Sequence, residues 1–287
     1  MLQGPPVIDQ LLDPGIAEAG RSGPVRWWRS GEQAFGELDL PDVTHDLADA
    51  TRQGYRALFR ALEDCGCPHP LRLWNYLPRI NADGGGLERY RQFNVGRQQA
   101  FLDASRPAFE GAPAASALGR PDGGLSLRFL AGTSAPRPLE NPRQVPAWRY
   151  STRYGPRSPS FSRAALVPLV RGRVALWVSG TASIVGEESC HVGHLAAQVK
   201  ETVANLRAVL AVANAALVPA PGHPGLSLPE LAFTAYVRHA ADGAAALSHF
   251  AEALGTDPDC VLLQADICRA ELLVEIEAHG TAPGSLA

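Results

Sequence analysis

Apolar residues recur along this chain with two different spacings, and the switches between them mark out strands and helices. The closing run Glu271–Ala278 alternates, so that as a strand Leu272, Val274 and Ile276 share one face while Leu273, Glu275 and Glu277 share the other. Val25–Leu40 carries Trp27, Trp28, Phe35 and Leu38 around a Ser30-Gly31 turn signal and predicts a β-hairpin. Pro41-Asp42 and Thr44 then offer helix-start chemistry, and Leu47, Tyr55, Leu58, Phe59 and Leu62 recur at helical spacing up to a stop at Cys65-Gly66-Cys67-Pro68. Leu71–Leu77 reads as a strand and Leu87–Ala104 as a helix. Two further apolar stretches, Ala114–Leu118 and Leu125–Leu130, flank the turn Pro121-Asp122-Gly123-Gly124.

The second half repeats this order. Ala164–Val170 and Val174–Ser179 form an apolar hairpin around Arg171-Gly172. Val192–Ala216 is a helix with Leu195, Val199, Val203, Leu206 and Leu210 in one stripe. Leu231–Val237 is a strand, Ala244–Leu254 a helix, Cys260–Ala265 a strand and Glu271–Ala278 the closing strand. A ββαβαββ unit used twice predicts an α+β protein of two domains, each a mixed β-sheet with helices packed on one face. The expected divisions are an extended arm over 1–23, a first domain over 24–133, an Arg/Tyr/Pro-rich connecting segment over 134–162 and a second domain over 163–287. Helices would cover the Leu272/Val274/Ile276 face, leaving the Glu275 face to be closed by another domain or subunit.

Composition narrows the functions open to the chain. A formal net charge of −3 gives no whole-molecule attraction to nucleic acid or an anionic membrane. No apolar run approaches a membrane span, and the Pro- and Gly-rich N-terminus lacks the pattern of a signal peptide, so a cytoplasmic location is expected. Five scattered cysteines suit a reducing compartment. Cys65 and Cys67 are too tightly spaced for a usual zinc site, and Cys190, His191 and His194 have no evident further ligand. No phosphate-binding or dinucleotide fingerprint is present, so neither metal nor cofactor is expected.

Two groups of residues carry a resemblance. Ser179-Gly180-Thr181-Ala182-Ser183 and Val274-Glu275-Ile276-Glu277-Ala278 resemble the RidA/YjgF fold, whose last strand holds a glutamate in the same setting. Where imine-deaminating members have a carboxylate-binding arginine, this chain has Asp259-Cys260-Val261. A closer resemblance is to the chorismatases, two-domain relatives of that fold with tandem RidA/YjgF-like (chorismate mutase-like) domains. It is carried by Leu73–Asn81, Gly86–Arg97, Asn141–Ala147, Tyr154–Phe161, Gly180–Gly186 and Ala265–Arg269, in the family's order from about residue 70 to 278. The N-terminal part is shorter than in typical members.

The resemblance implies a small dianionic substrate, chorismate, and no nucleic-acid or membrane partner; a homo-oligomer is allowed but not indicated. Guanidinium forks suit carboxylates and phenols add orienting hydrogen bonds, so Arg143, Tyr150, Tyr154 and Arg163 are the expected binding residues of the connecting segment. Arg153 and Arg157 are expected to be exposed. Tyr90 and Arg97 either line the pocket or support it. Glu275 is the expected general acid, which requires burial or a nearby negative charge to keep a proton on a carboxyl whose ordinary pKa is about 4.3. Gly180, ahead of Thr181, and Cys268, seven residues before Glu275, resemble the branch that makes 3-hydroxybenzoate and pyruvate; a hydrolytic branch releases a dihydroxycyclohexadiene carboxylate instead. A RidA-like ligand-binding module without turnover is the reading from another class.

Overall fold

The computed structural model describes residues 18–41 and 46–287. These residues form two compact units: one holds the described residues up to Pro136 together with Ala147–Phe161, the other Arg137–Pro146 and Ser162–Ala287. Residues 134–162 are therefore not one connector. Arg137–Pro146 packs with the C-terminal unit and Ala147–Phe161 with the N-terminal one.

The N-terminal unit runs β1 (Glu18–Ser22), β2 (Val25–Ser30), β3 (Gln33–Leu40), α1 (Leu47–Asp64), β4 (His69–Pro78), α2 (Arg89–Asp103), β5 (Ala114–Arg120) and β6 (Leu125–Gly132). Its strands lie in the order β1-β2-β3-β6-β4-β5, antiparallel except for the parallel pair β4–β5. The helix-start signals at Asp42 and Thr44 lie outside the described residues. Asp46 caps α1, its carboxylate accepting from the Asp49 amide at 2.9 Å. Tyr55, Leu58, Phe59 and Leu62 of α1 and Phe93 and Phe101 of α2 bury against Leu73, Leu127 and Phe129 of the sheet. Each such fully buried side chain stabilises the fold by roughly 1.5–3 kcal/mol. The two helices meet closely at Gly96, where an added Cβ would stand 1.9 Å from the Ala48 carbonyl oxygen.

The C-terminal unit runs β7 (Arg137–Leu139), β8 (Ala164–Leu169), β9 (Arg173–Ala182), a small hairpin of β10 (Ile184–Val185) and β11 (Glu188–Ser189), then α3 (Leu195–Ala215) and β12 (Leu217–Pro219). It continues through β13 (Ala232–Val237), α4 (Gly243–Leu254), β14 (Asp259–Gln264), the two-residue β15 (Asp266–Ile267) and the closing strand β16 (Val274–Leu286). Its sheet order is β14-β13-β16-β9-β8-β7, again with one parallel pair, β13–β14. The order matches the N-terminal sheet position for position, and the fold is α+β with helices on one face of each mixed sheet, as the repeat predicted. The unit is βββαβαββ, one strand longer than expected, because β1 and β7 add an edge strand to each sheet. β16 also begins later and runs further than the pattern suggested, and Leu272 lies before it, in a small cluster with Ala182, Ile184 and Ile267. Val274, Ile276 and Ala278 pack under α3 and α4 with Val199, Val203, Leu206 and Phe250. Among the described residues no helix is long and apolar enough to cross a membrane.

Candidate active site

Alternation in β16 sends Glu275 and Glu277 to the sheet face away from α3 and α4. Both are buried, at 3 % and 7 % exposure, so the surface reading of these glutamates is ruled out. Glu275 stands directly opposite Tyr236 of β13 on one side and Ala182 of β9 on the other. Beyond them on this face, Trp177 stacks on His279 with ring centres 5.0 Å apart.

The β9–β16 ladder is irregular beside Glu277. Ala278 pairs with Val178 but Ile276 pairs with Thr181, so Ser179 and Gly180 together oppose the single residue Glu277. This is a β-bulge, and its extra residue reverses which side chains face which way beyond it. Gly180 therefore adds no side chain next to Glu277, while Thr181 shares the side of Ile276. The Thr181 hydroxyl donates to the Ser179 carbonyl at 2.9 Å.

Cys268 lies in the turn before β16 and packs against the Ala182/Ile184/Ile267/Leu272 cluster. Burial pushes its thiol up to about 12, helped by the negative charge of Glu275 and opposed by Arg269 and Arg163. The group is thus an S–H near neutrality, able to donate or relay a proton but not to serve as a thiolate. Arg163 is 6 % exposed and its Nη2 donates to the Val145 carbonyl at 2.9 Å. Arg269 is also buried, with Nη1 donating to the Glu187 carbonyl at 2.8 Å and to Ser189 Oγ at 3.1 Å.

Arg143 is held by α3. Its guanidinium donates to Asn205 Oδ1 at 2.6 Å and to Glu201 at 2.5 Å, both on α3. Glu201, held below the usual carboxylate range by Arg143 and His191 in spite of burial, also meets His191 at 3.2 Å. Arg143 thereby joins the 137–146 stretch to α3.

The remaining expected residues belong to the N-terminal unit. Arg97 is 2 % exposed, its guanidinium carbon 5.4, 5.9 and 5.6 Å from the ring centres of Tyr55, Phe93 and Phe101. These rings form a cation-π cage around it. Tyr90 stacks on Phe93 at 6.4 Å. Tyr150 and Tyr154, in 147–161, lie 5.4 Å apart. Arg157 is exposed, as expected, although its Nη1 reaches Gln98 at 3.2 Å, and Arg153 is exposed with its guanidinium carbon 5.1 Å from the Tyr154 ring centre. Two residues of the C-terminal site were not singled out from sequence: Tyr236, which nothing distinguished from an ordinary strand residue, and Glu140, whose signal was its place beside the Asn141-Pro142-Arg143 motif.

Comparison with known proteins adds a name to this arrangement. A relative from Streptomyces hygroscopicus described as 3-hydroxybenzoate synthase is 38% identical over 280 residues, covering 95% of this chain and 81% of that protein. The chain belongs to the chorismatase family. A chorismatase of Streptomyces rapamycinicus is 37% identical over 271 residues, covering 92% of this chain and 79% of its own length. The family model for the N-terminal domain of FkbO/Hyg5-like chorismatases matches residues 10–131. A chorismatase crystal structure superposes with a TM-score of 0.81 at 32% identity, covering 91% of this chain and 78% of the other. The chorismatase likeness spans both sheets, since it covers nearly the whole chain.

Proposed function

We propose that this chorismatase converts chorismate to 3-hydroxybenzoate and pyruvate. The observation that carries the reading is the buried carboxyl of Glu275, paired across the ladder with Ala182, against whose cluster Cys268 packs. Glu275 protonates the enolpyruvyl methylene as general acid. The resulting oxocarbenium-like centre weakens the ether, the neighbouring ring hydroxyl attacks the ring carbon, and the ether carbon–oxygen bond breaks to release pyruvate. The arene oxide then opens and loses a ring proton to give the aromatic product. The two groups of atoms released account for all of chorismate, and water is not consumed.

Arg163 is the guanidinium assigned to a substrate carboxylate, with Arg269 as a second source of positive charge. Gly180 in the bulge leaves space beside Glu277 for a ring to move, and the Cys268 S–H can assist epoxide opening. The name borne by the 38%-identical relative supports this product. Tyr90, Tyr150 and Tyr154 remain proposed orienting groups.

Incubation of the purified protein with chorismate, followed by product analysis, tests the reading. Pyruvate with 3-hydroxybenzoate in equal amounts is expected. Pyruvate with a non-aromatic diene diol would assign the chain to hydrolysis, and unchanged chorismate would reduce it to a binding module.

A further inference from the structure

Glu140 is a titratable group that the proposed reaction leaves unused. It directly follows β7, and extending the β7–β8 register by one residue beyond Leu139↔Ala164 sets it opposite Arg163. Leu139 and Ala164 both lie in the core under α3. By alternation Glu140 and Arg163 therefore stand on the other face of the sheet, the face of Glu275 and Glu277. Its Oε2 is buried and has no hydrogen-bond partner among the described residues. Burial pushes the carboxyl up to about 7, and Arg163 is the charge that pulls it back down.

The charged groups on this face come from several elements. Arg163 stands immediately before β8, while Trp177 and Ser179 of β9 are uncharged. β16 contributes Glu275, Glu277 and His279, and the turn before it Cys268 and Arg269. From the same loop as Glu140, Arg143 is engaged by Glu201 of α3.

We propose that Glu140 is a positioning residue that couples substrate binding to uptake of one proton. Ionised, it shares the positive charge of Arg163; protonated, it yields that charge to the incoming carboxylate. A second carboxylate near Arg163 opposes ionisation of Glu140, so a proton from solvent moves onto Glu140 as substrate binds and returns to solvent when the products leave. This inference rests on the reading of Arg163 as the partner of the substrate carboxylate.

The test compares wild type, Glu140→Gln and Glu140→Asp, following kcat and KM for chorismate across the neutral range. In wild type KM rises with pH, by up to tenfold per unit above about 7, while kcat keeps a separate profile. Glu140→Gln makes KM flat and low, and Glu140→Asp restores the rise. A Glu140→Gln enzyme that keeps the wild-type rise in KM would overturn the proposal. Infrared difference spectra without substrate supply an independent measurement: a protonated-carboxyl band titrating near 7 in wild type and missing in Glu140→Gln is expected, and its absence from wild type also overturns the proposal. If instead Arg163→Gln leaves KM unchanged while the infrared band persists, the assignment of Arg163 fails, and the coupling fails with it, although Glu140 is shown to titrate.

Discussion

The two units use one strand order for opposite electrostatic ends. β6 holds in the N-terminal sheet the place that β16 holds in the C-terminal one, between the strand that follows the first helix and the strand that precedes it. Tyr76 of β4 pairs with Ser126 of β6, as Tyr236 of β13 pairs with Glu275 of β16. Two residues further along, Arg128 stands where the other sheet has Glu277. The apolar sides are alike, with Leu127 and Phe129 matching Ile276 and Ala278 under their helices. The polar sides are not. Arg128 pairs with Asp39 at 2.9 Å and Glu37 at 3.4 Å, and Ser126 donates to Asp39 at 2.5 Å. In spite of partial burial, those hydrogen bonds hold Asp39 below its usual range. One sheet thus neutralises its polar face with cross-strand ion pairs, and the other buries the carboxylates of Glu275 and Glu277 on the same face. The comparison teaches that the topology conserves the apolar face, while chemistry is decided at alternate positions of a single strand.

Substitutions can break this comparison, and the largest effect is expected at Glu275. Glu275→Gln should lower turnover of chorismate by about 10²–10⁴-fold, the usual contribution of a general acid, without loss of folding. Steady-state rates and circular dichroism together would check it, and full activity would end the assignment. In the other unit, Gly96→Ala should cost on the order of 1–3 kcal/mol or more, since the new Cβ meets a backbone carbonyl that cannot rotate away. Chemical denaturation would measure that loss. Cys268→Ala is expected to slow formation of 3-hydroxybenzoate about tenfold, ~1.4 kcal/mol, and to raise the share of any hydrolysis product. A product ratio identical to wild type would leave the thiol as packing alone.

The smallest effect belongs to the ion-paired face. Arg128→Ala should change stability by less than about 1 kcal/mol, because Asp39 is more than half exposed and its pairing is screened. Its sign with pH is fixed: a carboxyl lowered in the folded state contributes stability above its unfolded pKa and loses it as pH falls through the folded value. Thermal unfolding of wild type and Arg128→Ala should therefore converge in acid. Glu140 has the opposite sign, since its pKa is raised on folding. Its contribution is present below the ordinary carboxylate pKa and is lost as pH rises toward about 7.

Much of the fold was legible because apolar periodicity reports burial directly. Tyr55, Leu58, Phe59 and Leu62 could be read as a helix face, and Val274 and Ile276 as a strand face, from spacing alone. The edge strands were not legible for equally physical reasons. β1 reads Glu-Ala-Gly-Arg-Ser, with no apolar alternation, and is held by its ladder to β2. β7 is three residues long with Pro138 at its centre, an edge-strand composition that gives no periodic signal. In the site, the carboxylate face of β16 followed from alternation. The bulge at Ser179–Gly180, the pairing of Arg143 with α3 and the caging of Arg97 did not, because each depends on a partner distant in the chain.

By itself, then, the sequence determined the repeat, the helix-covered faces and the motifs that mark a chorismatase, since these depend on local spacing and residue type. Only the tertiary structure decided which polar groups share the Glu275 face. A strand's register and a bulge in it set direction across the sheet, and burial sets whether a carboxyl or thiol keeps its proton. That is why Glu140 became visible only when β7 was paired with β8, and why the hold of α3 on Arg143 could not be read from spacing.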